Sequence, residues 1–498
     1  MLPRAGQPSG LALAAAIKAA LAQVKKSADV RYAEVRFVEE TAERLRVRDG
    51  RPETVSSSES RGVGVRVLAR AAWGFASTPD CSEQGIALAA ERALRVARAS
   101  GRVAQAPVVF PEREASCGTY DTGLEVDPFA ILIEEKLAEL EKAVAALLKG
   151  GKPIRSAEAW MGWTRVYKRL ISTEGTDTSQ SFTYGACGMQ VVAGDDAGAT
   201  QTRSYPTNEG SEGFQGGYER VRALDLMGHT EEIRDEAIAL LTAPPCPEGT
   251  RDLLVESSQM ALQIHESCGH PAELDRALGT EISLAGGSFL QPSMLGKLRY
   301  GSKLVNLVAD ATSDGGMGTF GWDDEGVAAG THLLVREGMF IDYLSSRETA
   351  AALGRESTGT MRADGWGRLP LIRMVNVSLD PRAGTLTDLV ADTKDGILVS
   401  TNKSWSIDDI RLNFQFSCEI AWEIKGGKRA RILRDPRYTG ITPSFWGSCE
   451  AICGKSDWRL WGINNCGKGD PMQLMQVGHG AAPALFRGVT VGNAGRSA

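Results

Sequence analysis

The sequence predicts an α+β protein with an α/β-layered N-terminal half, built as a structural duplication, and a mostly β C-terminal half. Three observations carry this. Residues 1–245 run twice through helix, strands, helix. The run Pro244-Pro245-Cys246-Pro247-Glu248-Gly249 is the strongest break in the chain, because proline and glycine punctuate regular structure. Beyond it, short β-rich segments alternate with Gly, Asp and Asn turns. The expected domains are 1–245, with halves at about 1–120 and 121–245, and 246–498.

The first pass opens with Leu11 to Lys26, helical by its Ala/Leu/Lys composition. Tyr32 to Val38 and Arg44 to Arg48 alternate as strands, with Asp49-Gly50-Arg51-Pro52 as the turn that follows. Val63, Val65 and Val67 share one face of a third strand, Trp73 to Ser77 forms a fourth, and Cys81 to Ala99 returns to helical periodicity. The second pass starts at Asp127-Pro128, a helix-start signal, and its helix runs to Lys149. Strands follow at Ala157–Trp163, Val166–Ser172, Ser179–Tyr184 and Met189–Val192, then a helix between about Arg220 and Leu241. After the break come a strand at Arg251–Glu256 and a helix from about Ser258. Leu333–Arg336 and Met339–Tyr343 flank Glu337-Gly338 as a hairpin. Gly469 to Gly492 is glycine-rich, and Asn493 to Ala498 reads as a frayed tail.

Composition excludes several classes. With 42% hydrophobic and 24% charged residues the chain is globular, and a net charge of -6 lacks the basic footprint of a nucleic-acid binder. No uncharged apolar run reaches the ~18 residues of a membrane span. Leu11 to Val24 contains Lys18 and lacks a basic leader, so it reads as an amphipathic helix and not a signal peptide. Nine cysteines in 498 residues are too sparse for a disulfide scaffold, which points to reduced thiols and a cytoplasmic location.

Histidine is scarce, with five in the chain, so His265-Glu266-Ser267-Cys268-Gly269-His270 is informative. Two imidazoles hold a metal, and a carboxylate beside the first, displaced from it, can take a proton from metal-bound water. The spacing demands a distortion. Positions five apart on a straight helix differ by about 140°, so a π-bulge or kink between Ser267 and Pro271 must bring the rings together. Gly269 and Pro271 are the residues that permit it. A catalytic zinc needs a third protein ligand. The candidates are Cys268, Cys449, Cys453, Cys466, His479 and several carboxylates. Cys268 is sterically poor, and Cys449-x-x-x-Cys453 has a helical core spacing. Cys466, in the glycine-rich loop Asn464-Asn465-Cys466-Gly467-Lys468-Gly469, ranks narrowly first.

His265-Glu266-x-x-x-His270, followed by Glu273 and Asp275, resembles the metal-binding segment of the TldD/PmbA family, in its catalytic TldD branch. Arg61-Gly62-Val63-Gly64-Val65-Arg66 is similar to the family's N-terminal strand, and Asp323-Asp324-Glu325-Gly326 to its central loop. Leu369 to Asn376 and Cys466-Gly467-Lys468-Gly469 resemble later signatures, in family order over nearly the whole chain. Pro271 departs from the pattern, where a small residue is commoner. The resemblance implies a zinc metallopeptidase with ligands His265, His270 and Cys466 and with Glu266 as general base. It also implies a dimer, either with itself or with a PmbA-like non-catalytic subunit.

The expected substrate is a short or unfolded peptide, held as an added strand on a sheet edge during peptide degradation or leader processing. Asp323, Asp324 and Glu325 either orient a ligand or substrate or form a solvated surface turn. Two rivals stand beside this reading: a binding or scaffold subunit with a structural zinc, and a cysteine hydrolase pairing Cys466 with His479.

Overall fold

In the computed structural model, which describes residues 10–207, 212–282 and 286–494, both passes contribute to one sheet. The first pass is α1 (Gly10–Lys25), β1 (Val30–Arg48), β2 (Arg51–Ala69), β3 (Ala72–Thr78) and α2 (Glu83–Ser100). After β4 (Cys117–Asp121), the second is α3 (Ile133–Leu148), β5 (Ile154–Ser172), β6 (Asp177–Gly194), β7 (Thr200–Tyr205), β8 (Gly213–Gln215), α4 (Tyr218–Leu224) and α5 (Thr230–Thr242). The sheet order is β3-β2-β1-β5-β6-β4, with β7 and β8 also on β6. The passes meet at β1 and β5, antiparallel from Glu34 opposite Ser172 to Arg48 opposite Glu158. Two cores lie on this sheet, each drawn mainly from one pass. Leu13, Ile17, Ile86 and Leu94 pack on Val35 and Val65, while Leu140, Val144 and Ile233 pack on Met161 and Val191.

The strands are longer than the sequence pattern predicts. Tyr32–Val38 and Arg44–Arg48 belong to one strand, because the polar residues Glu39 to Glu43 pair with β2 on one side and β5 on the other. The four strands expected at 157–192 are likewise two. Gly185 and Gly188 do not break β6; they leave room for aromatic rings, since a Cβ there would lie 2.4 Å from Phe214 and 2.7 Å from Trp160. The helix expected over Arg220–Leu241 is interrupted at Asp225, whose φ of 46° is left-handed and incompatible with continuation.

Beyond the proline break come β9 (Gly249–Val255) and α6 (Ser257–Ile264). The remaining strands are β10 (Leu307–Asp310), β11 (Thr331–Arg336), β12 (Met339–Phe340), β13 (Met361–Arg362), β14 (Leu371–Ile372), β15 (Asn376–Leu379), β16 (Asp395–Ile407), β17 (Asn413–Lys425), β18 (Lys428–Leu433), β19 (Pro436–Ile441), β20 (Cys449–Ile452), β21 (Arg459–Lys468), β22 (Gln473–Ala481) and β23 (Ala484–Asn493). One sheet runs β12-β11-β10-β15-β22-β21. In the other, β16, β9, β23, β19 and β17 pair in a closed ring, because β17 returns to β16. The hairpin at Glu337-Gly338 is present, both residues having positive φ, as its right-handed strand twist requires. The glycine-rich run is not loop but β22 and β23, and strand pairing reaches Asn493. Of the expected frayed tail, residues 495–498 lie outside the described residues.

Helix α6 packs against β16 and β22 and is buried along its whole length. Its glutamines join a buried hydrogen-bond chain. Gln259 donates to the Tyr438 hydroxyl at 2.9 Å, Tyr438 donates to Gln263 at 3.0 Å, and Gln263 donates to Ser267 at 3.0 Å. A helix held on every side can present side chains without the fraying of a surface element.

Candidate metal centre

Where α6 ends, the backbone widens into a π-turn over His265–Gly269, and the His270 N–H bonds to the His265 carbonyl five residues back. This is the expected distortion. A 3-10 turn over His270–Ala272 follows, and Pro271, which has no N–H to donate, stands in it. The turn brings the His265 and His270 rings to a centroid separation of 4.7 Å at 87°. Gly269 has an ordinary helical φ of -68°, so its role is close packing and not conformational freedom. A Cβ there would sit 1.9 Å from the Met374 sulfur.

Cys466 comes from β21, and here the sequence reading needs correction: it stands on a strand, not in a loop. Opposite β22 the register slips between Ile463 and Cys466. This bulge, containing Asn464 and Asn465, re-aims the side chains that follow it. Cys466 Sγ lies 3.6 Å from His270 Nε2. Ligand atoms of His265, His270 and Cys466 all fall within 4.8 Å of one another, and all three residues are buried. Bonds of ~2.0 Å to nitrogen and ~2.3 Å to sulfur at a tetrahedral angle place those two atoms about 3.5 Å apart. The observed pair therefore fits a metal, and a two-imidazole, one-thiolate set suits zinc.

The surroundings favour the ligand forms a metal needs. Burial lowers His265 to about 4 and also lowers His270. Burial pushes the Cys466 thiol up, but His270 and Arg373 outweigh it and hold the thiol below its ordinary value. Arg373 also donates to the Cys466 backbone carbonyl. His270 Nδ1 meets Glu273 Oε2 at 3.2 Å, and Glu273 accepts from Arg276 at 2.7 Å with Lys468 at 3.3 Å. Burial opposes ionisation of Glu273, yet Lys468 and Arg276 hold its carboxyl well below the usual range. Lys468 is fully buried, with Asp275 at 2.8 Å and the Ile372 carbonyl at 2.7 Å as partners.

Glu266 is buried beside the first histidine and accepts from the Arg411 guanidinium. Arg411 sits between β16 and β17 with a φ of 65°. Nothing in its local sequence signals this role. Lys468 had a signal, its place in Cys466-Gly467-Lys468-Gly469.

The other candidates separate cleanly. Cys268 points away, accepting from the Tyr300 hydroxyl at 3.2 Å, and burial pushes its thiol up to about 12. Cys449 opens β20 and Cys453 follows it, so their spacing is not helical, and neither joins the cluster. His479 is neither a ligand nor the partner of Cys466. Its Nε2 is 2.8 Å from His265 Nδ1 and its Nδ1 is 2.9 Å from the Val377 carbonyl, while burial, then His265, holds it well below its ordinary pKa.

Asp323, Asp324 and Glu325 are not a solvated turn. All three are buried and stand apart from the metal cluster. Asp324 pairs with Lys168 of β5 at 2.8 Å, and Glu325 with Arg66 of β2 at 3.2 Å. Asp323 accepts backbone N–H bonds from Glu325, Val327 and Met361. The loop therefore joins the two halves. Asp324→Ala strands the Lys168 ammonium and the Ala363 N–H that also bonds it. The expected cost is about 2–4 kcal/mol, read as a lower denaturant midpoint with zinc content unchanged.

A buried His-His-Cys cluster beside a carboxylate defines a candidate metal-binding protein. Residues 248–493 match the model of the PmbA/TldA metallopeptidase C-terminal domain, and residues 33–97 match that of domain 1. The chain belongs to the PmbA/TldD family. It is 28% identical over 455 residues to a metalloprotease of Methanocaldococcus jannaschii, covering 90% of this chain and 94% of that one. It is 24% identical over 467 residues to a metalloprotease TldD homologue of Haemophilus influenzae, covering 93% of each. In fold it is similar to the TldE crystal structure from Thermococcus kodakarensis, with a TM-score of 0.70 at 15% identity over 96% of this chain and all of that one.

Proposed function

We propose that this protein is a zinc-dependent peptidase that hydrolyses peptide bonds in short or unfolded peptides, in peptide degradation or leader-peptide processing. The carrying observation is the His265, His270 and Cys466 cluster, with ligand atoms within 4.8 Å of one another, beside Glu266. Zinc held there would lower the pKa of a bound water and polarise the scissile carbonyl. Glu266 takes the proton from the attacking water and returns it to the leaving amine. Arg411 fixes the Glu266 carboxylate. Glu273 holds the His270 ring through Nδ1. Peptide would dock by main-chain bonds to a strand edge, which ignores side-chain sequence.

The working unit is a dimer, of two copies or with a PmbA-like non-catalytic subunit, and the setting is cytoplasmic. No nucleic acid or membrane partner is part of this reading; the net charge of -6 lacks a basic footprint, and among the described residues no helix is long and apolar enough to cross a membrane. Burial of the whole cluster favours one second reading, a scaffold subunit with a closed structural zinc.

Metal analysis of the purified protein and of His265→Ala, run with a generic peptide digest, tests both. The expected result is stoichiometric zinc and chelator-sensitive digestion in the wild type, with both lost in the variant. Zinc without digestion would select the scaffold reading, and no zinc would remove both.

A further inference from the structure

We propose that His479 is a positioning residue that holds His265 in the Nδ1–H tautomer, so that the Nε2 lone pair faces the metal position. The proposal rests on the metal-site reading above and adds to it the element that orients its first ligand.

The assignment follows from donor and acceptor arithmetic. The Val377 carbonyl oxygen only accepts, so His479 Nδ1, 2.9 Å away, carries a hydrogen and donates it. A neutral imidazole has one such hydrogen, which leaves His479 Nε2 as an acceptor. His265 Nδ1 lies 2.8 Å from that nitrogen and must be the donor. His265 Nε2 is then unprotonated, the form that ligates. A charged His479 would reverse the bond, but it is fully buried with a carbonyl and a second imidazole as its ring-nitrogen partners. A buried charge without a counter-charge is costly.

The sheet fixes this arrangement. His479 lies on β22 and Val377 on the adjacent β15, with Asn376 opposite Gly478. The glycines flanking His479 allow the close approach. A Cβ at Gly478 would lie 2.1 Å from Asn376 Oδ1, and one at Gly480 would lie 2.0 Å from the Trp458 ring. The two metal-site histidines are thus oriented differently, His270 by an anionic carboxylate and His265 by a neutral ring anchored to a backbone carbonyl.

The test uses nitrogen-15 histidine spectra of the metal-free full-length protein, in which five histidines can be assigned by single substitutions. Zinc affinity by chelator competition accompanies the spectra. The expected spectrum shows His265 protonated on Nδ1 and bare on Nε2. His479→Phe should lose that tautomer preference and bind zinc about 10- to 100-fold more weakly. His479→Gln, whose amide oxygen can accept the bond, should recover much of the affinity. A wild-type His265 protonated on Nε2, or a folded His479→Phe with unchanged zinc affinity, would overturn the proposal. If His479→Phe does not fold, the wild-type spectrum decides alone. The expected tautomer in a protein that binds zinc without digesting peptides would uphold the positioning role and sink the peptidase reading.

Discussion

Cys466→Ser is expected to lose bound zinc and peptide hydrolysis together. A neutral hydroxyl is a far poorer ligand than a thiolate, and His270, 3.6 Å away, and Arg373 outweigh burial to hold this thiol below its ordinary value. The substitution barely changes volume, so a folding defect does not compete as an explanation. Cys268→Ser, Cys449→Ser and Cys453→Ser serve as matched controls. Those thiols stand outside the cluster, and burial raises each to about 12; all three variants should retain zinc and activity. Zinc content by mass spectrometry after identical dialysis reads the result. Full occupancy in Cys466→Ser, with loss in a control, would move the ligand role to that other cysteine.

Glu266→Ala should show the opposite split, with zinc retained and hydrolysis reduced by about 10²–10⁴-fold, the usual contribution of a general base. Alanine also leaves the buried Arg411 guanidinium without this acceptor, and part of any loss could then be structural. Glu266→Gln separates the two effects, because the amide oxygen still accepts from Arg411 but cannot take a proton. Both variants should therefore be equally inactive while only the alanine is less stable. Wild-type digestion by the glutamine variant would exclude Glu266 as the base.

The core of this site was legible because histidine is rare and because helical geometry is strict. Five-residue spacing on one helix forces a distortion, and the π-turn at His265–Gly269 is that distortion. The setting of Cys466 was not legible. Gly467 and Gly469 read as loop, whereas the strand carries a bulge that no local pattern announces. Asp323 to Glu325 read either as a ligand- or substrate-orienting loop or as a solvated turn, because the cationic partners of Asp324 and Glu325, Lys168 and Arg66, stand 156 and 259 residues away in sequence. The long strands read as divided for a similar reason, since the partners of Glu39 to Glu43 lie on two other strands.

The parts of this centre are made far apart in time. Cys466 follows His270 by 196 residues, and His479 follows His265 by 214. During synthesis the helix with both histidines emerges long before its third ligand and its orienting ring exist. A nascent or truncated chain ending before Cys466 has two imidazoles and no thiolate to close the set. The proposed three-ligand set, with its orienting ring, therefore exists only once β21 and β22 have been made and placed.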